Sequence, residues 1–193
     1  MKKRKTANLI MVLIIAAIVI AGVAAAFVLK TDGGDDLGSR YRIRELPENA
    51  LVTPGQEDSV CTVTIVCGTV LDNAKDLDAE KAPFVPKDGI VLPKTRVSFG
   101  PEDTVFEVLQ RVCEAADIQI EYSYTPMYKS YYIEGINHLY EFDCGPESGW
   151  MFKVNDWFPN YGCSAYSLKN GDDIVWCYTC KGLGADVGAG GMG

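Results

Sequence analysis

The run LIMVLIIAAIVIAGVAAAFVL, Leu9 to Leu29, constrains this chain more than any other feature, because it contains no charged residue. As a helix it would span roughly 31 Å, about the thickness of one bilayer core. Lys2, Lys3, Arg4 and Lys5 precede it. Basic residues before an apolar span stay in the cytoplasm and send the C-terminus outward. The expectation is a single N-terminal transmembrane helix, a signal anchor over residues 1–30, with the remainder extracellular at the cell membrane. A cleaved signal peptide is the alternative, with Ala24-Ala25-Ala26 as its processing site.

The charge balance says what the partner is not. The whole chain carries a net charge of −8, and its first thirty residues hold basic side chains and no acid. The exported part is therefore strongly acidic. It repels polyanions, which excludes nucleic acid as a partner. Seven cysteines fit an oxidising compartment, where disulfides supplement a limited core. Zinc is the competing use of Cys177-Tyr178-Thr179-Cys180. No second CxxC and no histidine pair accompanies it, so no metal site is expected.

Residues 31–59 read as a flexible linker and stalk: TDGGDDLGS, then a stretch with Pro47, Pro54 and Gly55 and no sustained periodicity. Residues 182–193 read as a Gly-rich tail. The body, 60–181, begins with a strand near Cys61–Cys67. A short strand near Gly89–Leu92 and another from Arg96 to Phe99 follow. Thr104 with Glu107 forms a capping-box pattern, and Val105, Val108, Leu109, Val112, Cys113 and Ala116 make one apolar helical stripe. Alternation marks further strands at Ile118–Tyr124, Tyr131–Ile136, Leu139–Phe142, Trp150–Val154 and Ile174–Tyr178. One helix among many short strands predicts an α+β fold, with the helix packed on a mostly antiparallel β-sheet.

Signatures of catalysis are absent: no GxSxG, HExxH, phosphate loop or dinucleotide fingerprint. No cofactor pattern appears either. His138 is the only histidine and sits in a turn. Asp143 with Glu147, and Asp172 with Asp173, lie in turn-like segments where acids are common. A thiol oxidoreductase using Cys177 and Cys180 is the residual enzymatic reading; the expectation is a protein that is not an enzyme.

Aromatic residues carry the functional signal. Trp150, Phe152 and Val154 share a strand face and read as core. Trp157 and Phe158 are adjacent, so a regular strand cannot turn both inward, and Pro159 disfavours a central ladder position. Trp157, Phe158, Asn160 and Tyr161, with Tyr128 and Tyr132 adjoining, are the candidate ligand-binding residues. Exposed rings beside an amide suit a flat or sugar-like small ligand, or a protein partner.

The order of YIEGI, FDCG, SGWMFKVN, FPNYGCSAY and LKNGDDIVW, 132 to 176, resembles the transcobalamin-like C-terminal domain over about Val60 to Cys180. That is the small domain that closes the cobalamin carriers, and it is similar to a module of bacterial exported surface proteins. The resemblance implies a β-rich α+β domain and a corrinoid as candidate ligand. The carriers hold cobalamin between this domain and a helical barrel, for which residues 31–59 leave no room, so weak binding is implied. If the first and last strands lie side by side, Cys67 and Cys180 come near each other, while Cys144 and Cys163 flank the Trp150 hairpin. Cys67–Cys180 and Cys144–Cys163 are the favoured pairs, with Cys113–Cys67 an open alternative. The combined expectation is a membrane-anchored extracellular binding module for a corrinoid or related ligand. The alternative is a structural or interaction domain docking another envelope protein.

Overall fold

In the computed structural model, the described residues are 43–55 and 58–189. The expected transmembrane helix lies outside them. Among the described residues no helix is long and apolar enough to cross a membrane.

Local chemistry accounts for the main helix. α2, Val105–Ala116, starts at Thr104, whose hydroxyl accepts from Phe106 N at 3.2 Å, while Glu107 reaches back to Thr104 N at 2.8 Å. Two backbone donors that a helix start leaves orphaned are thereby satisfied. The helix ends at Asp117, in the left-handed conformation with φ 59°. Every member of the predicted apolar stripe is buried, and Phe106 joins it. Arg111, off the stripe, bonds Ser98 O and pairs with Asp103 at 2.8 Å. A short helix, α1, Gly68–Asp72, follows the first strand.

The strands form two sheets rather than the single sheet expected. β1 (Val60–Val66), β2 (Ile90–Ser98), β6 (Gly149–Val154) and β7 (Asp173–Thr179) make a four-stranded sheet in the order β2-β1-β7-β6. β3 (Ile120–Thr125), β4 (Ser130–Ile136) and β5 (Leu139–Tyr140) make a second, three-stranded one. The first sheet is mixed, because β1 and β7 run parallel while the other pairs are antiparallel. The fold is thus α+β, with the first and last strands side by side. The two short strands expected around Pro93 are one strand. β2 lies at a sheet edge, where the missing N–H of Pro93 costs no ladder bond.

α2 packs against β1 and β2, and Phe106 stacks on Tyr131 of the second sheet with ring centroids 4.2 Å apart. One core joins helix and both sheets, including Val63, Ile65, Leu109, Ile136, Trp150 and Tyr178.

Two segments expected to stand clear of the body are packed on it. Ile43, Leu46 and Leu51 lie against the core. Leu51 pairs with Val97 as an isolated bridge, and Ser98 N donates to Leu51 O at 2.9 Å. At the other end, residues 182–187 form 3-10 turns. Asp186 accepts from Cys180 N at 2.9 Å, from Lys181 N at 3.1 Å and from the Thr179 hydroxyl.

Candidate functional site

The aromatic stretch is arranged by a two-residue hairpin turn. Asn155 and Asp156 both have positive φ, 51° and 62°, the conformation that lets a two-residue loop match strand twist. Val154 and Trp157 exchange backbone hydrogen bonds across it at 2.9 and 3.0 Å. Asn155 fixes the turn to β7: its amide donates to Asp172 Oδ1 and its side-chain oxygen accepts from Asp173 N, each at 2.9 Å. The chain that leaves this hairpin sends adjacent rings opposite ways. Phe158 is 6% exposed and packs with Cys177, Ala189 and Met151. Trp157 is 53% exposed, with its ring edge-on to Tyr161.

Beyond Pro159 the chain returns across the start of β4. Ser130 and Ser164 tie the two together. Tyr131 N donates to Ser164 Oγ at 3.1 Å, and Ser164 N donates to Ser130 Oγ at 3.2 Å. The approach is so close that a Cβ on Gly162 would stand 2.0 Å from Ser130 Oγ. Only glycine permits this contact.

Between these segments lies a cleft of about 420 Å³, lined by Tyr128, Tyr132, Asn160 and Tyr161 together with Thr125, Ser130, Tyr131, Pro159 and Gly162. A smaller cavity of about 200 Å³ adjoins it, sharing Tyr131, Tyr132, Pro159 and Gly162 and reaching Trp150, Phe152, Phe158 and Trp176. The structure therefore gathers five of the six candidate residues around two neighbouring hollows: four line the larger and Phe158 lines the smaller. Trp157 lines neither; it stands beside Tyr161, which in turn is stacked near Tyr166 with ring centroids 6.3 Å apart.

The cleft is aromatic, with hydroxyl and amide groups at its walls and no charged residue in its lining. Tyr132 is the one wall residue tied to a charge. Its hydroxyl donates to Glu141 Oε2 at 2.7 Å, and burial, then that bond and the negative charge, hold the phenol well above its ordinary value. It stays a neutral donor.

Sequence reasoning missed Tyr131 and the Ser130–Gly162 contact. Tyr131 lies on β4, in the strand expected from Tyr131 to Ile136, stacked on Phe106 and edge-on to Tyr122 and Tyr124, but it was not among the candidate wall residues. Its signal was present: Tyr131 alternates with Ile133 in a strand pattern. In the smaller cavity's wall, Trp176 Nε1 is the one buried side-chain nitrogen or oxygen without a partner among the described residues.

Other chemistry-bearing residues have structural partners. His138 lies in the β4–β5 turn with φ 61°, near the Phe84 ring; burial first, then Lys81, lowers its imidazole pKa. Asp143 pairs with Lys81 at 3.2 Å and Asp173 with Lys94 at 2.9 Å. Asp172, 4% exposed, accepts from Lys169 N at 2.9 Å, and Glu147 accepts from Gly182 N at 2.8 Å. Among the described residues no three His, Cys, Asp or Glu side chains are grouped to hold a metal ion.

The cysteines are all buried. Cys163 Sγ lies against Tyr131 O at 3.4 Å and Cys177 Sγ against Met151 O at 3.7 Å. Cys144 Sγ lies against Asn73 O at 3.6 Å and Cys180 Sγ against Thr69 Oγ1 at 3.7 Å, while burial first, then Cys180, pushes the Cys67 thiol up to about 12.

Compared with known proteins, the sequence matches the model described as Domain of unknown function (DUF4430) over residues 102–180. The matched segment runs from just before α2 to the end of β7 and contains all residues lining the cleft. No curated protein matches the sequence. Among solved structures, the chain is similar to haptocorrin in complex with Cbi, at 13% identity and a TM-score of 0.43, over 63% of this chain and 25% of that one. The chain is thus similar to only a quarter of that structure's length. It is also similar to a protein from Ruminococcus gnavus ATCC 29149 described as a candidate metal binding protein, at 13% identity and a TM-score of 0.38, over 63% of this chain and 96% of that one.

Proposed function

We propose that this chain is a non-enzymatic binding module, held outside the cell by Leu9–Leu29, whose DUF4430-matching segment receives a small flat or sugar-like ligand in the cleft of Tyr128, Tyr132, Asn160 and Tyr161. The observation that carries this reading is that cleft: about 420 Å³, adjoined by a second hollow that shares four of its lining residues, walled by rings and dotted with neutral donors and acceptors. Small-ligand sites have this character, and about 300–1,000 Å³ is their usual range. Flat ring faces offer large contact area at little conformational cost, and Asn160 can both donate and accept. A corrinoid is the first ligand to test, since the motifs from Tyr132 to Trp176 resemble the closing domain of the cobalamin carriers. The cleft would take an edge of such a ligand rather than enclose it, so weak affinity is expected.

The thiols support a non-enzymatic role. A redox CxxC needs a thiolate of low pKa. Burial pushes both Cys177 and Cys180 up to about 12, the opposite of what such chemistry requires.

Calorimetric titration with cobalamin and cobinamide tests the reading. Saturable heat lost in Tyr161→Ala supports it; no heat at millimolar ligand removes the small-molecule form. A second reading, docking to an envelope protein, draws on the β3–β4 turn, where Met127 and Tyr128 are 82% and 71% exposed beside Tyr124. Capture of a single envelope protein by the wild type, lost on Tyr128→Ala, would favour it. Protease shaving of intact cells tests the membrane placement: the body should be cut away from a retained N-terminal fragment.

A further inference from the structure

A second cleft, of about 380 Å³, lies apart from the aromatic one and is lined by Asp76, Cys144, Gly145, Pro146, Glu147, Cys180 and Lys181. Two elements deliver its sulfurs. Cys180 follows Thr179, the last residue of β7, which pairs with Gly149 at the start of β6. Cys144 lies in the turn leading into β6, with its N–H donated to Ser148 Oγ at 3.1 Å. Ser148 in turn accepts from the Tyr178 hydroxyl at 3.0 Å. Both sulfurs rest on one face of α1. Cys180 Sγ is 3.7 Å from Thr69 Oγ1 and Cys144 Sγ is 3.6 Å from Asn73 O, while Asn73 Nδ2 donates to Thr69 O at 2.8 Å. Thr69 and Asn73 are four apart, so they are neighbours on a helical surface. Both sulfurs therefore sit over neighbouring positions of one short helical turn and line one cleft.

We propose that Cys144 and Cys180 are the disulfide-forming pair of this body, and that Cys67 remains a thiol beside them. Cys67 is 1% exposed and does not line the cleft, whereas both members of the pair do. Formation needs a disulfide donor, of the glutathione or protein-disulfide class. The donor's S–S bond breaks, the sulfurs of Cys144 and Cys180 bond to each other, and the two protons and two electrons leave with the donor as two thiols. Burial raises both thiols in the closed body, Cys180 to about 12, so exchange there is slow. The bond therefore forms during folding and acts as a staple rather than a catalytic couple. It ties the entry of β6 to the exit of β7, next to the residues that Asp186 already holds.

The test is refolding of the full chain in detergent with oxidised and reduced glutathione, alkylation without reduction, digestion and mass spectrometry. The expected result is a dominant Cys144–Cys180 peptide, retained in Cys67→Ser, with the other cysteines alkylated. A dominant Cys67–Cys180 or Cys144–Cys163 link, or alkylation of all seven cysteines, overturns the proposal. Reductant should lower the melting midpoint of wild type and Cys67→Ser by roughly 10 °C and leave Cys144→Ser unmoved. An equal response in Cys144→Ser also overturns it.

Discussion

Replacing Gly162 by alanine perturbs the aromatic cleft at its tightest point. The added Cβ would lie 2.0 Å from Ser130 Oγ and 2.3 Å from Ser130 Cβ. Carbon atoms in contact prefer about 3.5–4.0 Å, so the segments must part by more than ~1 Å. Ser130 cannot swing into solvent, being 2% exposed. Parting the segments strains the two bonds that join them, Tyr131 N to Ser164 Oγ and Ser164 N to Ser130 Oγ. Overpacking costs about 1–3 kcal/mol, and each hydrogen bond lost about 1 kcal/mol net. Gly162→Ala should therefore destabilise by about 2–4 kcal/mol, with Tyr161 and Asn160 displaced. Urea unfolding followed by tryptophan fluorescence measures the loss. Ser130→Gly removes both atoms that the new Cβ meets. The double variant should therefore recover stability relative to Gly162→Ala, less what the missing Ser130 hydroxyl bond contributes. A Gly162→Ala change within about 0.5 kcal/mol of wild type, the scatter of ordinary surface substitutions, would refute this account of how the cleft is closed.

Further predictions test the frame around the cleft. Thr104→Ala removes the helix cap and should cost about 1 kcal/mol by the same denaturation assay. Trp150→Phe should cost about 1 kcal/mol more than Trp176→Phe, because Trp150 Nε1 donates to Leu139 O at 2.8 Å while Trp176 Nε1 has no partner to lose. Asp173 gives a pH test. Burial alone would raise its carboxyl pKa, but hydrogen bonds from Lys94 and Thr62 outweigh that and hold it below its ordinary value. Its contribution is therefore complete above the unfolded value near ~3.9 and disappears as pH falls through the folded one. Asp173→Asn should flatten the acid limb of a stability–pH curve below about pH 4 relative to wild type; an unchanged limb would contradict the assignment.

What the sequence made legible was local. The Thr104–Glu107 box, the stripe from Val105 to Ala116 and the alternation of Trp150, Phe152 and Val154 each declare themselves within a few residues. The opposed orientation of Trp157 and Phe158 followed from strand geometry, though which ring turned inward did not. What stayed hidden depends on partners far along the chain. Leu51 packs because Val97 is beside it, forty-odd residues away by sequence, and no periodicity announces one such contact. Pro93 looked like a strand break because nothing local marks β2 as an edge. Cys144 and Cys180 come to line one cleft through the pairing of β6 with β7, which no local pattern announces. Tyr131 was legible as a strand residue, but its role as the ring between Phe106 and the cleft needed the second sheet in place.

The most direct test of the binding face is isothermal titration of the chain with cobinamide, run beside Tyr161→Ala and a Thr104→Ala control for stability. Wild type and Thr104→Ala should give the same saturable heat, and Tyr161→Ala should weaken it at least tenfold. Absence of heat at millimolar cobinamide and cobalamin, or a Tyr161→Ala isotherm that overlays the wild type, would contradict the claim that these rings receive such a ligand.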